Sequence, residues 1–357
     1  MSAREPGIGE RLALRALASN RNPRFAFGSM AGRFILLVAL RKSDSVTAQA
    51  AIADMARLPL DETGRVAALV SADPAGEAAP ALVDLGVRRL IFWDPTGEAL
   101  AAWGLDQAGE ADGFCLLLDP SLRVVHLWPL RDHARAYDAF LALPEPDAHA
   151  GAPLTAPVLI APRVFEPAFC VELIKGYRAN GALPSGTTKE NEQGRTYVSL
   201  DPSFKQRRDW VIEDAALREA AMHRIYWRLI PEIEKAFAFR CTRMERYIVS
   251  CYDSETGGYF KPHRDNTTKG TAHRRFAVTI NLNAEEYDGG DLRFPEFGAR
   301  RYRAPTGGAV VFSCSLLHEA TPVTRGARYA FLPFLYDEAA AQLRAENLPF
   351  LDQSLRG

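Results

Sequence analysis

Seven consecutive apolar residues at 34–40 (FILLVAL) stand out from the mixed opening of the chain, and they predict a strand buried on both faces. Helical character at 46–58, a strand at 65–70, a helix at 79–85 and a strand at 90–93 follow. The runs 114–118 and 123–128 flank Asp119-Pro120-Ser121, a hairpin signal, and 133–143 closes the segment as a helix. That order predicts a three-layer α/β sandwich around a mixed sheet. The pattern changes across 144–157 (PEPDAHAGAPLTAP), which has no apolar period. It reads as a semi-stiff linker between one domain at 1–143 and another at 158–357.

Beyond the linker, Glu166-Pro167 opens a helix with Phe169, Leu173, Ile174 and Tyr177 on one face. A second helix is expected over 214–237, where Leu217, Ala221, Ile225, Leu229 and Ile233 recur every fourth residue and Pro231 should kink or end it. The text then turns to strands. Residues 275–283 (RFAVTINLN) alternate Phe276, Val278, Ile280 and Leu282 with Ala277, Thr279 and Asn281, the mark of a half-buried strand. Shorter strands are expected at 292–294, 301–303, 309–314 and 328–336, punctuated by Gly-Gly at 289–290 and 307–308. Helices followed by many short strands suit a double-stranded β-helix, or jelly roll, with helices buttressing one sheet. The polar stretch 181–210 has no apolar period and is expected to form a lid, with Arg207, Arg208 or Trp210 reaching substrate.

Composition narrows the partners. Of 357 residues, 47% are hydrophobic and 24% charged, and the net charge is -1, so nothing global favours nucleic acid or an anionic membrane. The local run Lys205-Gln206-Arg207-Arg208 reads as a solvated face. No apolar run approaches the roughly 18 residues that span a bilayer, and no signal peptide is visible. A cytoplasmic location is expected. The five cysteines are widely spaced with no CxxC, which fits a reducing compartment, and Cys115 reads as inert core.

The candidate chemistry lies in the second half. His263 and Asp265 are one residue apart in GGYFKPHRDN, so on a strand both leave the same face. An isolated His-x-Asp means little, but His318 follows at the end of the apolar strand VVFSCSLLH. Two imidazoles and one carboxylate make a facial triad that suits Fe(II) and leaves coordination positions open. Arg328 follows in HEATPVTRGARYAF, and a guanidinium can fork onto a buried carboxylate where lysine cannot.

Over 158–338 these residues resemble the prolyl-4-hydroxylase-like branch of the 2-oxoglutarate/Fe(II) oxygenases. The signature stands as Pro262-His263-Arg264-Asp265, then His318 with Pro322, Val323, Gly326, Arg328 and Tyr329; Gly289 to Gly298 (GGDLRFPEFG) is similar to the element beside the site. The resemblance implies His263, Asp265 and His318 as iron ligands and Arg328 as the clamp on 2-oxoglutarate. It implies hydroxylation of an unactivated C–H of a peptide, protein or small molecule, using O2, releasing succinate and CO2, with ascorbate as a further reductant. The chain departs from the family three residues before the first ligand, where a co-substrate Tyr often stands: here it is Phe260, with Tyr259 beside it. Tyr252 is the alternative co-substrate hydroxyl. Retention of the Asp265 carboxylate favours hydroxylation over halogenation.

Residues 22–143 resemble the peroxiredoxin branch of the thioredoxin fold, in NPRFAFGSMAGRFILLVAL, FWDPTGEALAAWGL and FCLLLDPSLRVVHLW. After FILLVAL, where the resemblance places a peroxidatic cysteine, the chain reads Arg41-Lys42-Ser43-Asp44-Ser45, with no cysteine before Cys115. The implied role is a docking or stabilising module for a protein partner or substrate carrier, without peroxidase chemistry. Two other readings of the chain are a non-catalytic scaffold built from two enzyme-like folds and a non-oxidative cupin metalloenzyme. The latter generally uses more histidines and needs no arginine at 328.

Overall fold

The computed structural model describes residues 5–59, 64–105, 112–191 and 193–352. The outermost residues of the two expected domains (1–4 and 353–357) and position 192 of the expected lid lie outside the described residues. The chain divides into two compact units, Met1–Thr155 with Pro295–Ala299, and Ala156–Phe294 with Arg300–Gly357.

In the first unit, Phe34–Leu40 is a strand with every residue buried. It pairs in parallel with Arg65–Ser71, which pairs in parallel with Leu90–Trp93. On its other side it pairs antiparallel with Gly113–Leu118, which turns back into Val124–Pro129. Two strands unforeseen in the sequence, Ala16–Ser19 and Phe25–Ala26, complete a seven-stranded sheet. Phe34, Leu36, Val38 and Leu40 share a core with Ile52 and Met55 of helix Val46–Met55, Leu82 and Leu85 of Pro80–Gly86, and Tyr137 and Phe140 of His133–Leu141. Ile35, Leu37 and Ala39, on the opposite face, are buried too, which is why the run is continuous rather than alternating. Helix Val46–Met55 stops short of the expected residue 58. The amides of Arg57 and Leu58 bond carbonyls three residues back, and Pro59 disfavours helix at Leu58.

In the second unit, helix Pro167–Asn180 buries Phe169, Leu173 and Ile174 as expected. The expected 214–237 helix is two helices, Ala215–Arg228 and Ile230–Phe237, broken where Pro231 has no N–H to give. Asp214 caps the first, accepting from the Leu217 amide at 2.7 Å. Strand Phe276–Asn281 differs from the half-buried reading, because Ala277, Thr279 and Asn281 are buried as well. Asn281 tolerates this by donating its amide to the Ala304 carbonyl at 2.7 Å. The expected strand 328–336 is two, Ala327–Phe331 and Phe334–Tyr336, with Pro333 between them. A nine-stranded sheet, joined off its main path by Ala309–Ser313 and Leu159–Ala161, carries most of these segments. A five-stranded sheet holds Lys205–Gln206, Tyr259–His263, His318–Ala320, Leu292–Arg293 and Arg301–Tyr302 in that order.

The stretch 181–210 is not a structureless lid. Thr187–Glu190 and Thr196–Ser199 form a hairpin, Lys205–Gln206 joins the five-stranded sheet, and Arg208–Val211 pairs with Ile248–Asp253 in the larger one. No helix among the described residues is long and apolar enough to cross a membrane.

Candidate active site

Strand pairing brings the two histidines together. His263 ends strand Tyr259–His263, and the antiparallel register sets it opposite His318, with ring centroids 4.2 Å apart. Directly opposed residues share a face. Asp265 lies just past the strand end, so its position comes from a turn: its amide donates to the Cys314 carbonyl at 3.0 Å. Its carboxylate oxygens lie 3.5 Å from His263 Nε2 and 3.3 Å from His318 Nε2. One ligand atom from each of the three falls within 4.8 Å of the others.

The ring nitrogens are assigned by their neighbours. His263 Nδ1 is 2.8 Å from the Lys261 carbonyl oxygen, and His318 Nδ1 is 3.0 Å from that of Leu316. A carbonyl only accepts, so Nδ1 carries the proton and each Nε2 presents a lone pair on the Asp265 side. Burial, and then the neighbouring His263 ring, push His318 down to about 4, so it is a neutral imidazole at physiological pH. Burial alone would raise the Asp265 carboxyl, yet His318 and His263 hold it well below the usual carboxylate range. Two imidazoles and a carboxylate are a donor set that fits Fe(II). Apolar rings enclose it: Phe260 stacks on His263 at 3.5 Å, and Phe312 lies 4.6 Å from His318.

Arg328 sits on Ala327–Phe331 directly opposite Tyr252 of Ile248–Asp253. It is 2% exposed, and its Nε and Nη1 are buried without a hydrogen-bond partner. Its guanidinium carbon lies 4.9 Å from the centre of the Tyr252 ring. Gly290, at φ +65°, makes room for it: a Cβ there would come within 3.1 Å of Arg328 Cδ and 2.8 Å of Val323 Cγ2. A buried guanidinium with orphaned donors is a costly arrangement that a bound carboxylate would relieve, so the residues fit 2-oxoglutarate as well as iron.

Other expectations for this region are corrected. Lys205 and Arg207 are not a solvated face; each is only 8% exposed. Arg207 donates to Asp209 at 2.7 Å, Ser185 at 3.0 Å and the Tyr252 hydroxyl at 3.2 Å. Trp210 packs instead on helix Pro167–Asn180, and Arg208 is exposed and bonds the Ala182 carbonyl. Tyr259 donates its hydroxyl to the Pro202 carbonyl at 2.9 Å. The network around Arg207 went unseen because charged letters in a polar stretch read as solvent-facing. Its one sequence signal is the alternation Lys205-x-Arg207-x-Asp209, which sets three charges on one side of an extended chain.

The 2OG-Fe(II) oxygenase superfamily model matches residues 247–336, the stretch holding His263, Asp265, His318, Arg328 and Tyr252. Similar curated proteins are PKHD-type hydroxylases. One, from Pseudomonas fluorescens, is 38% identical over 91 residues, covering 23% of this chain and 39% of the relative. Another, from Shewanella frigidimarina, is 42% identical over 82 residues, covering 22% and 36%. The chain therefore spans under two fifths of the length of these relatives. The crystal structure of a Pseudomonas putida prolyl-4-hydroxylase is similar with a TM-score of 0.39 at 17% identity, over 54% of this chain and 96% of that one. With the family match lying on the strands that assemble the cluster, the C-terminal region of this chain is a 2OG-Fe(II) oxygenase domain.

Proposed function

We propose that the protein is a 2-oxoglutarate- and Fe(II)-dependent dioxygenase that hydroxylates an unactivated C–H bond of a peptide, protein or small molecule. The observation that carries this is the pairing of a three-ligand cluster with a buried guanidinium whose Nε and Nη1 have no hydrogen-bond partner. Bound Fe(II) and 2-oxoglutarate would supply oxidation by O2 with release of succinate and CO2. The chain's own groups supply position. His263 and His318 are held in the ligating tautomer by the Lys261 and Leu316 carbonyls, and Asp265 offsets metal charge. Arg328 takes the far carboxylate, with Tyr252 beside it, and Phe260, Phe312 and Phe294 keep water from the rings. A non-oxidative cupin site gives no use for Arg328.

The finer architecture belongs to the same proposal. The second unit is a double-stranded β-helix whose smaller sheet carries the histidines. The first is a thioredoxin-like module, supported by its three parallel strands followed by an antiparallel hairpin. Ser43 stands in the loop after the first of them, buried and bonded to Asp73, where the resemblance would place a cysteine; we read the module as a docking element for a partner.

Succinate release from 2-oxoglutarate by the Fe(II)-loaded protein tests the proposal. It should occur with the native chain and fall to background in His318→Ala. Equal release by both would refute it.

A further inference from the structure

Positive charge is buried beyond what the oxygenase reading uses. Lys205 lies behind the triad with neutral partners only: Ser185 Oγ at 2.8 Å and the Gly186 carbonyl at 2.7 Å. Arg207 shares its carboxylate, Asp209, with Arg246 at 3.8 Å, and Asp209 also accepts from Ser185 and Ser250. The Arg207 Nε is buried without a hydrogen-bond partner. Three cations thus face one acid. The other nearby acids are engaged elsewhere, Glu245 by His273 and Arg274, and Asp265 by the two histidines. Burial, and then the Arg207 charge, push the Lys205 ammonium well below its ordinary range, and an anion joining it would restore the charge.

These cations border the triad through two aromatic rings. The Lys205 ammonium sits 4.6 Å from the centre of Phe260, which also stacks on the His263 ring at 3.5 Å. Arg207 holds the Tyr252 hydroxyl, and Arg328 lies 4.9 Å from the same ring. On the oxygenase reading the two carboxylates of 2-oxoglutarate would be taken up by a metal on the triad and by Arg328. An anion at Lys205 and Arg207 would therefore belong to a different molecule.

We propose that Lys205 and Arg207 bind an anionic group, a carboxylate or a phosphate, carried by the substrate, and so orient its reacting C–H toward the triad. This rests on the oxygenase reading and narrows its substrate to acids. Arg207 offers a planar fork and Lys205 a point charge, a combination that accepts either anion.

The test uses the full chain loaded with Mn(II) and 2-oxoglutarate, so that binding is measured without turnover. It is titrated calorimetrically at low ionic strength with N-acetyl-leucine, N-acetylproline and N-acetylphenylalanine, each against its amide, and with O-phosphoserine against serine. At least one acid should bind about tenfold more tightly than its neutral partner, as a charge-assisted pair requires. The carboxylate and phosphate arms identify which anion the site takes. The preference should vanish in Lys205→Met and shrink in Arg207→Gln. The absence of any acid preference in the native chain overturns the proposal without needing a variant that folds. It is equally overturned if the two variants weaken 2-oxoglutarate binding and leave the acid preference intact. Succinate release by the Fe(II) protein separates the failures: release without acid preference sinks the anion site alone, whereas no release under any condition sinks the oxygenase reading.

Discussion

Replacing Arg328 with Met should separate a co-substrate clamp from an ordinary buried ion pair, because the two give opposite signs in stability. The guanidinium is 2% exposed, with Nε and Nη1 unpartnered, and its compensation is the Tyr252 ring at 4.9 Å and a hydrogen bond with the Tyr287 side chain. A cation over an aromatic ring contributes about 0.5–2 kcal/mol, whereas each buried, unsatisfied donor costs about 1–3 kcal/mol. Methionine fills much of the same volume with no donor to satisfy. The ligand-free variant should therefore melt at the native temperature or above it. Co-substrate affinity should move the other way. Removing one partner of a buried charge pair costs about 3–5 kcal/mol, which at 1.4 kcal/mol per decade is a loss of about a hundredfold to several thousandfold in 2-oxoglutarate binding. The assay is anaerobic calorimetry with Mn(II) and 2-oxoglutarate, alongside thermal melts of both proteins with and without it. At about 100 times its Kd, 2-oxoglutarate should stabilise the native chain by about 2.7 kcal/mol and leave the variant unmoved. Binding within a few-fold of native, or a ligand-free variant that melts well below the native chain, would refute the reasoning.

Acid stability should depend on Glu245, which His273 and Arg274 hold at about 2 against the burial that would raise it. A lowered folded pKa stabilises above the unfolded value near 4.5, and the contribution, of order 3 kcal/mol, is lost as pH falls toward 2. Glu245→Gln should flatten that acid limb in urea titrations across pH; an unchanged slope would contradict it. Gly176→Ala should destabilise although alanine is the better helix former by about 1 kcal/mol. A Cβ there would meet Trp210 Cη2 at 2.5 Å, and overpacking costs about 1–3 kcal/mol; a raised denaturation midpoint would contradict this. All five cysteines are buried, with Cys115 pushed up to about 12 by burial and Asp132, so a thiol reagent at mild alkaline pH should label none until the chain unfolds. A fast-reacting thiol would overturn that reading.

The elements read correctly from sequence are those whose pattern reports burial directly. FILLVAL is apolar throughout because both faces are covered, and Phe169, Leu173 and Ile174 recur at the helical period because one face is. Strand Phe276–Asn281 departs from its pattern because Thr279 and Asn281 alternate as solvent-facing residues would, yet both are buried, Asn281 with its amide bonded to the Ala304 carbonyl. Asp265 is reachable by counting from His263, but it is aimed by the Cys314 carbonyl, in the turn after the remote strand Ala309–Ser313.

The chain's letters alone supply the kinds of ligand: two imidazoles, a carboxylate and an arginine, in an order that suits a ferrous site. Only the folded sheets decide that His263 faces His318 and Tyr252 faces Arg328, because strand register is set by pairing between remote segments. Tertiary structure alone also turns Lys205, Arg207 and Asp209 inward. Whether a charge meets water or a partner depends on what packs over it, and one-dimensional text does not record that.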